Sequence, residues 1–134
     1  MDTLLTNQVI GWHLSNGGFC PVQEQKYHAL RLLHEAVELC LATGADKYET
    51  TAVVQDEVVK HMERHGSTTA INLASVWEEI ADVAILLEIF VYYTDVAIDN
   101  VVRDKLDVLY ERKWKADEHG VLWRDKTTEQ GGTP

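Results

Sequence analysis

Proline and cysteine are scarce in this chain, at two of each in 134 residues. The prolines are Pro21 and Pro134, so none interrupts the sequence between them. A proline inside a helix removes a hydrogen bond and kinks the chain, so this scarcity permits long helices. Cys20 and Cys40 stand in no CxxC or other metal-ligand spacing, which excludes a disulfide framework and a cysteine zinc site. The expectation is two reduced, largely buried thiols in a cytoplasmic protein. Positive charge is also short: 12 Lys+Arg against 22 Asp+Glu leave a formal net charge of -10. Nucleic acid is thereby excluded as a partner, since binding it requires clustered basic residues. The most apolar run, Val83 to Tyr93 with Glu88 inside it, falls short of the roughly 20 residues of a membrane span. No basic segment opens the chain, so no secretory leader and no membrane partner are expected. There is no GxxxxGK[ST] phosphate loop. No Glu is followed three residues later by His, which excludes the di-metal carboxylate bundle built on that pair.

What remains is helical. Apolar residues recur at three and four positions, and nowhere does a period of two persist. A first helix is predicted from Thr3 to Ser15, ended by Asn16-Gly17-Gly18. Pro21 suits the first turn of a second helix that reaches about Thr43. A third runs from Glu49 to His65 and stops at Gly66. A fourth begins with the capping box Ser75-Val76-Trp77-Glu78 and continues to Tyr93. A last helix, capped by Thr94 or Asp95, ends near Trp114. The predicted fold is all-α: a four-helix-bundle-like domain over residues 1–123 with an additional inserted helix, Glu49–His65. Residues 124–134 are expected to form a loosely ordered tail.

Acidic pairs stand out on two of these helices. Glu35 and Glu38 are one turn apart and point the same way. In Glu78-Glu79-Ile80-Ala81-Asp82, Glu78 belongs to the capping box and faces away from the apolar stripe of Val76, Ile80, Val83 and Leu87. Glu79 and Asp82 border that stripe and form the second pair. Two pairs on facing helices would gather four carboxylates, which stay ionised together only around a cation. Oxygen donors favour Mg²⁺, with Mn²⁺ as a substitute, over zinc. The plainer alternative is a solvated strip on which Arg31 pairs with Glu35 across one turn. His61 and His65 have metal-pair spacing, but no third ligand is near and a solvated helix end is the better reading.

Glu35-Ala36-Val37-Glu38 with Glu79-Ile80-Ala81-Asp82 resembles the ExxE…ExxD signature of the MazG-like all-α nucleoside triphosphate pyrophosphohydrolases. The segments Gln8 to His13, Lys105 to Trp114 and Asp117 to Val121 are similar to the first helix, last helix and following turn of small phage-type members. The resemblance implies a MazG-type fold and hydrolysis of a nucleoside triphosphate to the monophosphate and pyrophosphate, with a purine such as dGTP as substrate. It implies metal ligation by Glu35, Glu38, Glu79 and Asp82, catalysis by Glu35 and Glu38, and proton removal from water by a spare carboxylate or His34. Lys105 and Arg112, seven apart on one helix face, are the phosphate candidates, with a solvated face as the alternative. Trp12 would stack on a base or else serve as a core aromatic. Asn16 would read a base edge or else form its turn. Such enzymes are homodimers or dimers of dimers. His34 stands where many relatives have an acid, and Leu109 where they have Asn. The competing function is a non-catalytic helical interaction protein whose acidic strips are soluble surface.

Overall fold

The computed structural model describes residues 1–21, 23–66 and 72–127. It contains helices α1 (Thr3–Ser15), α2 (Gln25–Ala42), α3 (Lys47–His65), α4 (Leu73–Thr94) and α5 (Ile98–Glu111), followed by strands β1 (Trp114–Ala116) and β2 (Leu122–Arg124). The fold is all-α with one small β-hairpin.

Asp2 starts α1 by accepting a hydrogen bond from the Leu5 amide at 2.7 Å. The α2 helix begins at Gln25, later than Pro21 suggested, because Gln23 takes a positive φ of 72° and the chain turns before the helix can start. Asp46 caps α3 with bonds of 2.8 Å from the Tyr48 and Glu49 amides, so that helix starts two residues earlier than expected. These donors also hold the Asp46 carboxyl below its ordinary value. The cap of α4 is Asn72, whose side chain accepts from the Ser75 amide at 3.3 Å. Ser75 therefore lies inside the first turn, and the predicted capping box with Glu78 is replaced. The α5 helix ends at Glu111 with Arg112 in extended backbone, three residues short of Trp114.

The hairpin was not predicted. Lys115 lies opposite Trp123 and Ala116 opposite Leu122 in an antiparallel register. Its turn is held against the segment between α1 and α2, where the Phe19 amide donates to the Gly120 carbonyl at 3.1 Å. Arg124, expected to open the tail, closes β2; residues 128–134 lie outside the described ones.

Among the described residues the core is small: Leu5 of α1, Leu106 of α5, and Val121 and Leu122 of the hairpin. Packing between elements is concentrated within the hairpin, between α1 and α5, and between α2 and α3; α4 shares in none of these. An ion pair of 2.8 Å from Arg103 to Asp2 adds to the α1–α5 contact. Cys20 and Cys40 are both exposed, against the expectation of burial: with so little core, the positions that a packed bundle would enclose stay open.

Candidate functional site

The α2 helix places His34, Glu35 and Glu38 on exposed surface. Glu35 accepts an ion pair from Arg31 at 2.7 Å, the solvated i,i+4 arrangement weighed from the sequence. Arg31 is itself fixed from the other side: its guanidinium lies 4.8 Å from the centre of the Trp123 indole. His34 meets the same indole edge-on at 5.4 Å. The first acidic motif is thus tied to the hairpin through one tryptophan. Nothing in the sequence marked Trp123 for this contact, because it depends on how β2 packs against α2.

Glu79 and Asp82 sit on exposed surface of α4, as does Glu78. The chemistry of the four-acid donor set suits a hard divalent ion. Its arrangement within one chain does not, for among the described residues no three His, Cys, Asp or Glu side chains come together to hold an ion. The expected facing of the two pairs therefore does not occur inside a single chain. Its physical reason is the isolation of α4 from the closely packed parts of the molecule.

The remaining predicted residues are scattered. Trp12 packs edge-on against Trp114, ring centres 5.1 Å apart, and its indole nitrogen is buried with no acceptor among the described residues. The Asn16 amide donates to the Trp12 carbonyl at 2.8 Å and ends α1, so its side chain forms the turn. Lys105 is exposed on α5, whereas Arg112 is the cap residue beyond that helix. The two therefore do not share a helical face. His61 and His65 are ring neighbours at 4.7 Å on α3.

A cleft of ≈ 410 Å³ lies elsewhere, on the hairpin, lined by Lys115, Asp117, Trp123, Arg124, Lys126 and Thr127 among others. Asp117 is engaged inside it: Oδ1 accepts from the His119 and Val121 amides and Oδ2 from the Trp123 indole. Burial pushes its carboxyl up, but these donors outweigh burial and hold it below its ordinary value. At the joint between α1 and α2, burial, and then the neighbouring His28, push His13 below its ordinary value. His119 stacks on Tyr27 at 3.5 Å and approaches Glu24 at 3.3 Å, which fixes the hairpin turn to the start of α2.

Fold and site together define an all-α protein with exposed acidic pairs on two helices and a hairpin docked on one of them. No helix is long and apolar enough among the described residues to cross a membrane. Compared with models of known families, with curated proteins and with solved structures, the chain matches none.

Proposed function

We propose that the protein is a metal-dependent pyrophosphohydrolase acting on a nucleoside triphosphate, with a purine deoxynucleotide as the substrate class. The observation that supports this reading is the pair of acidic motifs on two separate helices: Glu35 and Glu38 on α2, Glu79 and Asp82 on α4. Each motif presents two carboxylates one turn apart on an open face. In this reading those carboxylates hold Mg²⁺ or Mn²⁺, which would neutralise phosphate oxygens and lower the pKa of a bound water. Because one chain does not gather three of them, the reading requires α2 and α4 surfaces to meet in the assembled protein. Arg31 has a defined part in it. Its ion pair occupies Oε1 of Glu35, so ligation of a cation by both oxygens of that carboxylate requires the pair to open. An exposed i,i+4 pair is worth about 0.3–0.5 kcal/mol, so opening it is a small obstacle. The acidic character and the proposed cytoplasmic setting are consistent with a substrate that arrives with its own divalent ion.

The test is incubation with each nucleoside triphosphate and Mg²⁺. Monophosphate and pyrophosphate are expected in equal amounts from the first turnover, and EDTA is expected to abolish both. Glu79→Ala should remove turnover while Glu78→Ala retains it, since Glu79 borders the apolar stripe of Val76, Ile80, Val83 and Leu87 whereas Glu78 faces away from it. Nucleoside diphosphate with inorganic phosphate, or full turnover in EDTA, would overturn the reading.

The non-catalytic interaction protein is favoured by one specific observation, the exposed apolar surface of α4. It predicts no thermal stabilisation by Mg²⁺ or Mn²⁺, whereas the hydrolase predicts stabilisation by either ion.

A further inference from the structure

Basic residues are scarce in this chain, yet they gather at one place in the fold. Between Arg112 and Lys126 the sequence holds five Lys and Arg against three Asp and Glu, a net of +2. The rest of the chain holds seven against nineteen, a net of -12. The β-hairpin lies within this basic segment, and its register turns the sequence into a surface. Lys115 lies opposite Trp123, and the Asp125 amide donates to the Lys113 carbonyl at 2.8 Å, which extends the pairing by one rung. Side chains alternate along a strand, so Lys113, Lys115, Trp123 and Asp125 share one face of the hairpin. The cleft of ≈ 410 Å³ is lined by three of these, Lys115, Trp123 and Asp125, together with Arg124, Lys126 and Thr127. That volume falls within the roughly 300–1,000 Å³ of small-molecule sites.

The acids of the cleft are engaged by the hairpin itself. Asp117 accepts from three of its donors. Asp125 Oδ1 accepts from the Thr127 hydroxyl at 2.7 Å and from the Thr127 amide at 3.1 Å. Those two bonds, and then the positive charges of Lys115 and Lys113, hold the Asp125 carboxyl below its ordinary value. The cations are differently placed. Lys115 and Lys126 are exposed and take part in none of the ion pairs of the described residues. Beside them Trp123 is a fixed wall: Asp117 holds its indole N–H at 2.9 Å, Arg31 lies over the ring at 4.8 Å, and 40 % of the residue stays exposed.

We propose that this cleft binds a phosphate monoester carried on a flat ring, the chemistry of a nucleoside monophosphate, with Lys115 and Lys126 neutralising the phosphate and Trp123 receiving the ring. Ammonium groups bind phosphate as point charges, and an aromatic side chain stacks on a base whatever its identity. The ring is pre-organised, so little side-chain freedom is lost on binding. Charge limits the ligand to a single phosphate group. A nucleic-acid strand would carry its next phosphates out of the cleft and onto an otherwise acidic chain. The site differs in kind from the acidic motifs, since it takes an anion directly whereas they would take a cation. The inference therefore stands without the hydrolase reading.

Titration of the full chain with AMP, in EDTA and at low ionic strength, tests it. The readout is the Trp123 indole N–H resonance, assigned by its loss in Trp123→Phe. EDTA removes divalent ions, so neither metal binding at the acidic motifs nor turnover intervenes. A saturable shift of that resonance is expected. Ribose 5-phosphate and adenosine, each lacking one half of the ligand, are expected to bind about tenfold more weakly or worse. The double variant Lys115→Gln, Lys126→Gln is expected to weaken AMP by about tenfold or more. Both side chains are exposed, so the fold is retained, which circular dichroism checks. No saturable shift at millimolar AMP would overturn the proposal. Adenosine binding as tightly as AMP would remove the anion site, and inorganic phosphate binding as tightly as AMP would remove the ring. Unchanged AMP binding in the folded double variant would place the ligand elsewhere. Tighter binding of a short single-stranded oligonucleotide than of AMP would overturn it in favour of a nucleic-acid surface. Hydrolysis of a nucleoside triphosphate with Mg²⁺ can succeed or fail without changing any of these results, so the two readings fail separately.

Discussion

Asp117 organises the hairpin with a single carboxylate, accepting from His119 at 2.9 Å, Val121 at 3.0 Å and the Trp123 indole at 2.9 Å. Its folded pKa lies below the ordinary 3.8, so the unfolded chain binds the proton more readily. The stability it contributes is complete above 3.8 and is lost as pH falls through the lowered folded value. The Trp123 indole N–H resonance should therefore hold its position at neutral pH and move only on acidification below the ordinary carboxylate range. Asp117→Asn, which removes the charge and one strong acceptor, should shift it at every pH. A resonance that already moves above the ordinary carboxylate range would overturn the assignment of the indole to the Asp117 carboxylate. Gly120, in the turn that follows, has a φ of 80°, and a Cβ there would run into the Phe19 carbonyl. Both the conformation and the space demand glycine. Gly120→Ala is expected to cost about 1 kcal/mol or more, read from urea unfolding, through strain and the lost Phe19 contact.

The helices were legible because their signals are local. The bounds of α1 follow from its apolar spacing and the Asn16-Gly17 stop, and the structure has them at Thr3–Ser15. The α4 cap was misplaced for a reason that is also local: Ser75 and Glu78 have capping-box spacing, yet Asn72 lies three residues upstream and reaches the Ser75 amide first. Asn72→Ala should then lower stability by about 1 kcal/mol, whereas Ser75→Ala and Glu78→Ala should stay within about 0.5 kcal/mol. Thermal unfolding of the three variants checks this, and a larger loss in Glu78→Ala would restore the predicted box. The hairpin escaped notice because a three-residue strand is too short to establish a period of two. The acidic pairs were legible as spacing within a helix. Whether Glu35 and Glu38 meet Glu79 and Asp82 depends on how α2 and α4 pack, which no local pattern encodes, and the structure does not bring them together in one chain.

At the scale of the molecule, two tendencies oppose each other. Apolar surface on α2, α3 and α4 favours association, while a net charge of -10 on each copy resists it at long range. The two respond differently to salt. Exposed charges separated by more than a Debye length are screened, and that length falls from roughly 30 Å at 0.01 M to 8 Å at 0.15 M. Apolar contact is not weakened over that range. If copies meet through their α2 and α4 surfaces, as the proposed function requires, their association should therefore tighten as ionic strength rises, with most of the gain in the association rate, because repulsion acts before the surfaces touch. The described ion pairs of α2 and α3, Arg31–Glu35 and Lys60–Asp56, lie within single helices and leave no excess of positive charge on those two helices to attract a like copy. Measuring the dimer dissociation constant at 0.01 M and 0.15 M salt separates the cases. A constant that falls with salt fits an apolar α4 contact between two acidic chains. A constant that rises with salt would mean that ion pairs hold the copies together, and would move the contact away from the 84–93 segment, where Glu88 is the only charge.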